Sequence, residues 1–113
     1  MEFTHINIGM TRNLCRHADK GRTGHLCNAI AGVIASQGTV FANGRPVARR
    51  GDKAMPHTIL RCFGKVCICV NHPANINAGS STVFCQGIPV ARIHDSFDKA
   101  RMITGSVNVF AGG

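Results

Sequence analysis

The sequence predicts a mostly β protein built from short hairpin repeats. Three observations carry this. A unit recurs: GTVFANGRPVARRGD at 38–52 returns as STVFCQGIPVARIHD at 81–95, a shift of 43 (Val40 to Val83, Asp52 to Asp95), and self-similarity at fixed spacing marks a repeat architecture. Each unit has strand–turn–strand chemistry. The stretches between units show no sustained helical periodicity.

In chain order, residues 1–11 read as an N-terminal extension, and His5 within it is not expected to hold a ligand. Arg16-His17-Ala18-Asp19 resembles the tail of a further repeat copy. Residues 26–36 could form a short helix, but Gly32 and the β-branched pair Val33-Ile34 favour a strand or turn. In the first full repeat, Thr39-Val40-Phe41 is a β-branched and aromatic run. Asn43-Gly44 signals a type I′ hairpin turn. Pro46-Val47-Ala48-Arg49 returns as the second strand, with Pro at its start, where no N–H is needed, and Asp52 closes the unit. The second repeat substitutes Gln86-Gly87 for the turn and Pro89-Val90-Ala91-Arg92 for the return. Residues 105–113, GSVNVFAGG, form a truncated third copy.

Composition narrows the function. A chain of 113 residues suits a single domain, 1–113, without an appended enzyme. The formal net charge is +8, split +5 over residues 1–56 (eight Lys and Arg, three acids) and +3 over the rest (five Lys and Arg, two acids). That charge is spread out, Arg49-Arg50 being the dense point, and the six Phe are not interleaved with it as stacking platforms for nucleic acid would be. No apolar run reaches transmembrane length, and no secretory leader pattern is visible, so synthesis in the cytoplasm is expected. Only one Glu and four Asp are present, without a P-loop, G-x-S-x-G or H-E-x-x-H motif. Enzymatic function is not expected.

The long inter-repeat stretches need tying down, and they carry the chain's most distinctive residues. Six Cys (15, 27, 62, 67, 69, 85) and six His (5, 17, 25, 57, 72, 94) form two groups: His17…His25-x-Cys27 and His57…Cys62…Cys67-x-Cys69-x-x-His72. Thiolate and imidazole are the ligands of structural zinc, and such a site stabilises a small fold. The spacing is not that of a zinc finger. Cys85, inside a strand, reads as a small buried hydrophobe, and His94 as an exposed turn residue. Six Cys would also suit a disulfide framework, but disulfides leave the histidines unexplained.

With these residues in view, the chain resembles the PAAR-repeat family. Pro46-Val47-Ala48-Arg49 and Pro89-Val90-Ala91-Arg92 are similar to its Pro-Ala-Ala-Arg signature. Thr23-Gly24-His25-Leu26-Cys27 is similar to an early G-H-G-C segment. The resemblance implies a small cone of short β-hairpins with pseudo-threefold symmetry, metal-tied near its apex. It implies a spike-tip role: one chain seated on a trimeric β-helical spike, VgrG-like in type VI secretion or the central tail spike of a contractile phage. The tip would be delivered outward on contraction and meet the target membrane transiently. One structural zinc is implied, with His25, His57 and His72 as ligands by position. The family's late Cys, a few residues after the last Asp, is absent, since Ser96-Phe97-Asp98-Lys99 stands there. Cys62 is therefore the expected fourth ligand, before Cys27 and Cys69, and mixed Cys/His ligation favours zinc over iron. The alternative is a zinc-stabilised module that binds an anionic partner such as nucleic acid.

Overall fold

The computed structural model describes residues 11–113; most of the expected N-terminal extension, with His5, lies outside them. Among the described residues every regular element is a strand. In order these are β1 (Arg12–Asn13), β2 (Lys20–Arg22), β3 (Ile30–Ile34), β4 (Phe41–Ala42), β5 (Arg45–Pro46), β6 (Lys53–Ala54) and β7 (His57–Phe63). They continue with β8 (Val66–His72), β9 (Phe84–Cys85), β10 (Ile88–Pro89), β11 (Ser96–Phe97), β12 (Ala100–Arg101) and β13 (Phe110–Ala111). The 26–36 stretch yields the strand β3, whose exposure alternates along Ile30–Ile34 as a half-buried strand requires.

The repeats form the expected hairpins. In β4–β5, Asn43 and Gly44 have φ of 54° and 73°, and in β9–β10 Gln86 and Gly87 have 51° and 79°. Two consecutive positive φ values are the type I′ signature, so Gln86 adopts the conformation that Asn43 takes more readily. The third hairpin has no turn. β1 pairs antiparallel with β13, Arg12 opposite Ala111 and Asn13 opposite Phe110. The fragment at 16–19 and the truncated copy at 105–113 are thus two halves of one repeat, joined across the chain.

The three returning segments meet in a ring. Cys15 N–H donates to Ala91 O (2.9 Å), Ala91 N–H to Ala48 O (2.9 Å), and Ala48 N–H to Cys15 O (3.0 Å). This closed triangle of backbone bonds is the pseudo-threefold symmetry. Side chains follow it. Leu14, Val47 and Val90 are fully buried together, ringed by Val40, Val83 and Val109, with Ala42, Cys85 and Ala111 completing the layer. Cys85 occupies a place that is Ala in the other two copies, which is why it behaves as a small hydrophobe. The adjoining layer holds Cys15, Ala48 and Ala91 with Val33, Ile76, Phe97 and Met102. Burial, then the nearby Asp19 and Asp95 carboxylates, pushes the Cys15 thiol well up, and burial also raises Cys85.

Each ring segment ends in the same turn. The carboxylates of Asp19, Asp52 and Asp95 accept the backbone N–H of Arg16, Arg49 and Arg92 at 2.7, 2.8 and 2.8 Å. Arg16 and Arg92 also fold back on their own Asp at 2.9 and 3.0 Å. Arg49 instead reaches Ser36 Oγ (2.8 Å), and that hydroxyl donates to Asp52. The Arg–Asp pairing is therefore direct in two copies and relayed in the third. Ala18, Gly51 and His94 take the same place in these turns, with φ of 68°, 92° and 70°, and His94 is exposed as read from the sequence.

Asp95 also accepts from Arg12 Nη2 at 2.8 Å. Asp95→Ala leaves the buried Arg92 guanidinium without its counter-charge, so thermal or urea unfolding is expected to show a loss of ~3–5 kcal/mol. A change under ~1 kcal/mol, the size of an exposed ion pair, would mean that the turn holds without it.

Candidate metal centre

Four segments between the repeats converge on one carboxylate. Asp98 lies in the two-residue turn of the β11–β12 hairpin with φ of 51°, a left-handed conformation that Asp tolerates. Its main chain is fixed by an N–H bond to Asn75 O (3.2 Å) and by Asn77 Nδ2 donating to Asp98 O (3.2 Å). His25 sits on the loop between β2 and β3. That loop is anchored to the same turn, because Lys99 N–H donates to Thr23 O (3.0 Å). Gly24 packs so closely there that a Cβ would stand 2.9 Å from Lys99 Cβ, and its φ is +79°. Glycine is needed at this contact on both counts. His57 opens β7 and His72 closes β8, and the two form one cross-strand pair.

The geometry is tight. His25 Nε2 lies 3.1 Å and His72 Nε2 3.3 Å from Asp98 Oδ1, while His57 Nε2 lies 3.4 Å from Oδ2. His25, His72 and Asp98 bring ligand atoms within 4.8 Å of one another. His57 and Asp98 are almost wholly buried, with side-chain exposures of 2% and 6%. His25 and His72 meet edge to face with ring centroids 4.8 Å apart.

His57 indicates what belongs among these groups. Its Nδ1 is 3.1 Å from the carbonyl of Met55. A carbonyl only accepts, so Nδ1 carries a proton, and a ring with that single proton presents a lone pair at Nε2. Backbone anchoring of the far nitrogen is the usual arrangement for a metal-binding histidine. His57 Nε2 and Asp98 Oδ2 face each other with no hydrogen-bond partner. Two buried lone pairs in opposition are costly unless a proton or a metal ion lies between them. Two ligand atoms held ~2.0–2.1 Å from one zinc at tetrahedral angles lie about 3.3–3.4 Å apart, and the three His–Asp98 separations here are 3.1–3.4 Å. His25, His72 and Asp98 fit a divalent metal, with two nitrogens and one oxygen within 4.8 Å of one another, and His57 would add a nitrogen from the side of the other carboxylate oxygen.

Cys62 stands elsewhere, and this corrects the expected fourth position. It is disulfide-bonded to Cys67, its cross-strand neighbour. The physical reason is strand alternation: side chains five positions apart point to opposite faces, so Cys62 faces away from His57. Cys69, three positions from His72, is turned away for the same reason and is disulfide-bonded to Cys27. The disulfides that the sequence reading set aside thus coexist with the histidine cluster. With no thiolate in the set, the argument that mixed Cys/His ligation favours zinc over iron also lapses, because imidazole and carboxylate suit several first-row dications. His17 is outside the cluster and accepts from Ala35 N–H at Nδ1 (3.2 Å). Asp98 was the residue missed. Its signal was faint but present: it is an acid with no counterpart in the other repeat, where Met55 stands.

The PAAR motif matches residues 23–98, from the loop that carries His25 to the turn that carries Asp98. The chain belongs to the PAAR-motif family. The match spans more than half of this PAAR protein and takes in all four clustered residues. Its fold, an all-strand assembly of short hairpins, is that of the PAAR cone. The family comprises structural, metal-binding spike-tip proteins of type VI secretion systems and phage tails. No curated protein matches the chain.

The cysteines give a simple check. Cys15 and Cys85 are buried and free, whereas both disulfides are on the surface. Titration with a thiol reagent should find no fast-reacting thiol in the native protein and four after mild reduction. All six should appear only on denaturation with reductant. Fast labelling before reduction would place free thiols among Cys27, Cys62, Cys67 and Cys69.

Proposed function

We propose that this PAAR protein caps a trimeric β-helical spike, VgrG-like or of a phage tail, with one chain per trimer, and sharpens it for penetration of a target envelope. The observation that supports this most is the backbone triangle of Cys15, Ala48 and Ala91. It makes one chain present three equivalent strand pairs around an axis, the symmetry that the blunt end of a trimer requires of a monomeric cap. The short strands β4, β9 and β13 leave edges that extend the partner's β-structure. Phe84 and Val107, 52% and 87% exposed, add apolar contact from the repeats themselves. We further propose that one zinc ion, held by His25, His57, His72 and Asp98, locks the segments beyond this base. Its part is structural: it joins a loop, a hairpin root and a turn that share little apolar core.

The metal assignment predicts about one zinc per purified chain by elemental analysis. His57→Ala and Asp98→Ala should each weaken metal retention by more than the ~10–100-fold that loss of an outer-shell partner costs, and chelator should lower the melting temperature. Asp98→Cys should keep the metal, since it places a thiolate where the resemblance puts the family's late Cys. Iron in place of zinc would revise the ion, and no metal would remove the site.

The docking assignment predicts co-purification of one chain per trimer with a β-helical spike from its own genome neighbourhood. It also predicts that Phe84→Asp and Val107→Asp together abolish this without lowering metal content. Failure to bind any such spike would overturn the capping role.

A further inference from the structure

The hairpin β7–β8 is unlike the rest of the fold. Each of its strands has seven residues, and the two form a sheet by themselves. It is held to the body only near its root, by a bridge between Cys27 and Ile59, by Thr58 N–H donating to Asn28 Oδ1 (2.8 Å), and by the Cys27–Cys69 disulfide. No residue of either strand joins a core cluster. Six steps of ~3.3 Å separate the His57–His72 rung from the last pair, Phe63 and Val66, so the tip stands roughly 20 Å beyond the metal centre. The molecule is correspondingly elongated, with extents of 51 × 27 × 23 Å.

The composition of that prong is specific. From the root outward one face carries Ile59 and Val70, then Arg61 and Ile68, then Phe63 and Val66. Phe63, Val66 and Ile68 are 66%, 62% and 47% exposed. The turn is Gly64-Lys65, with Gly64 at φ of 63°, the residue a two-residue hairpin loop favours at its first position. Arg61 and Lys65 are the charges, and no acid lies between Asp52 and Asp95. A lone two-stranded hairpin is marginal in water, and here a disulfide between Cys62 and Cys67 pins it one rung from the end. A stiff prong with an aromatic and aliphatic end and only positive charge has the chemistry of an anionic lipid interface. Its apolar rungs span the ~5–10 Å to which interfacial segments bury, and Arg61 and Lys65 have stems long enough to keep their charges at the headgroups.

We propose that the β7–β8 hairpin is a membrane-contacting prong whose tip, Phe63, Val66 and Ile68 with Arg61 and Lys65, inserts into the headgroup region of an anionic bilayer. This builds on the spike-tip reading by naming the surface such a tip meets first. A protein partner that pairs with the free hairpin edge is the competing occupant. It would pair with the backbone of β8 and pack on the side chains at the turn, so the same substitutions would weaken it.

The test uses the full, metal-loaded chain and sedimentation with vesicles of phosphatidylcholine, alone or mixed with phosphatidylglycerol. Binding is expected to the mixed vesicles and to fall with salt. Phe63→Ser with Val66→Ser should reduce it at least about tenfold, and Arg61→Ser or Lys65→Ser by about fivefold each, the value of one cation near an anionic surface. In Phe63→Trp the indole emission should shift to the blue on binding and be quenched by brominated lipid. Unchanged melting temperatures and disulfide content would show that the variants fold. The proposal is overturned if mixed vesicles do not bind the chain, if the Phe63/Val66 variant binds them as well as the parent, or if the Trp probe stays in water. Spike co-purification with the same variants separates the two readings. Retained docking with lost vesicle binding supports the prong, and lost docking makes the hairpin a protein interface and overturns it.

Discussion

The structure depends on three backbone hydrogen bonds that close a ring among Cys15, Ala48 and Ala91. Strands of two residues cannot hold a fold by their own ladders. Here each returning segment passes its N–H to the next and receives one in turn, so every segment is fixed by both others. The small residues at these positions follow from the ring, because three chains can approach one axis only where side chains are short. The Arg-x-x-Asp turns follow as well, since each carboxylate takes up the N–H of the Arg that leaves the ring, a buried donor that would otherwise be unpaired.

Away from the ring, the chain changes its means of support. Segments between the repeats bring few large apolar residues, Phe97, Met102 and Ile76 being the main ones fully buried. Further out, polar and covalent links take over: the cluster about Asp98, the Asn28–Thr58 bonds, and two surface disulfides. Burial of apolar area is the main driving force in most folds, but the β7–β8 hairpin contributes no residue to either core cluster. The His–Asp cluster and the disulfides act there without needing volume. Support thus changes from threefold packing about the ring to a two-stranded prong that joins neither core cluster.

Much of the candidate site was legible in residue types. Residue types marked two His- and Cys-bearing groups, and the resemblance to the PAAR repeats singled out His25, His57 and His72 within them. Their carboxylate partner was harder to see. Asp98 is near the repeat's own Asp95 and carries no motif, and its role comes from a two-residue turn that aims it inward. Cys62 was misplaced for want of one fact, that residues 57 to 63 run as a single extended strand. Once they do, alternation sends His57 and Cys62 to opposite faces.

By itself, the sequence determined the local units: two hairpins from Val-Phe, Asn-Gly or Gln-Gly, and Pro-Val-Ala-Arg, each governed by φ preferences and β-propensity acting over a few residues. It also determined which side chains would behave as small core fillers, as Cys85 does. Tertiary structure decided how a third repeat is completed by residues from opposite ends of the chain. It decided which cysteines pair and which acid stands among the histidines. These are contacts between residues tens of positions apart. No local preference encodes them, and they appear only when ring closure fixes where each loop begins and ends.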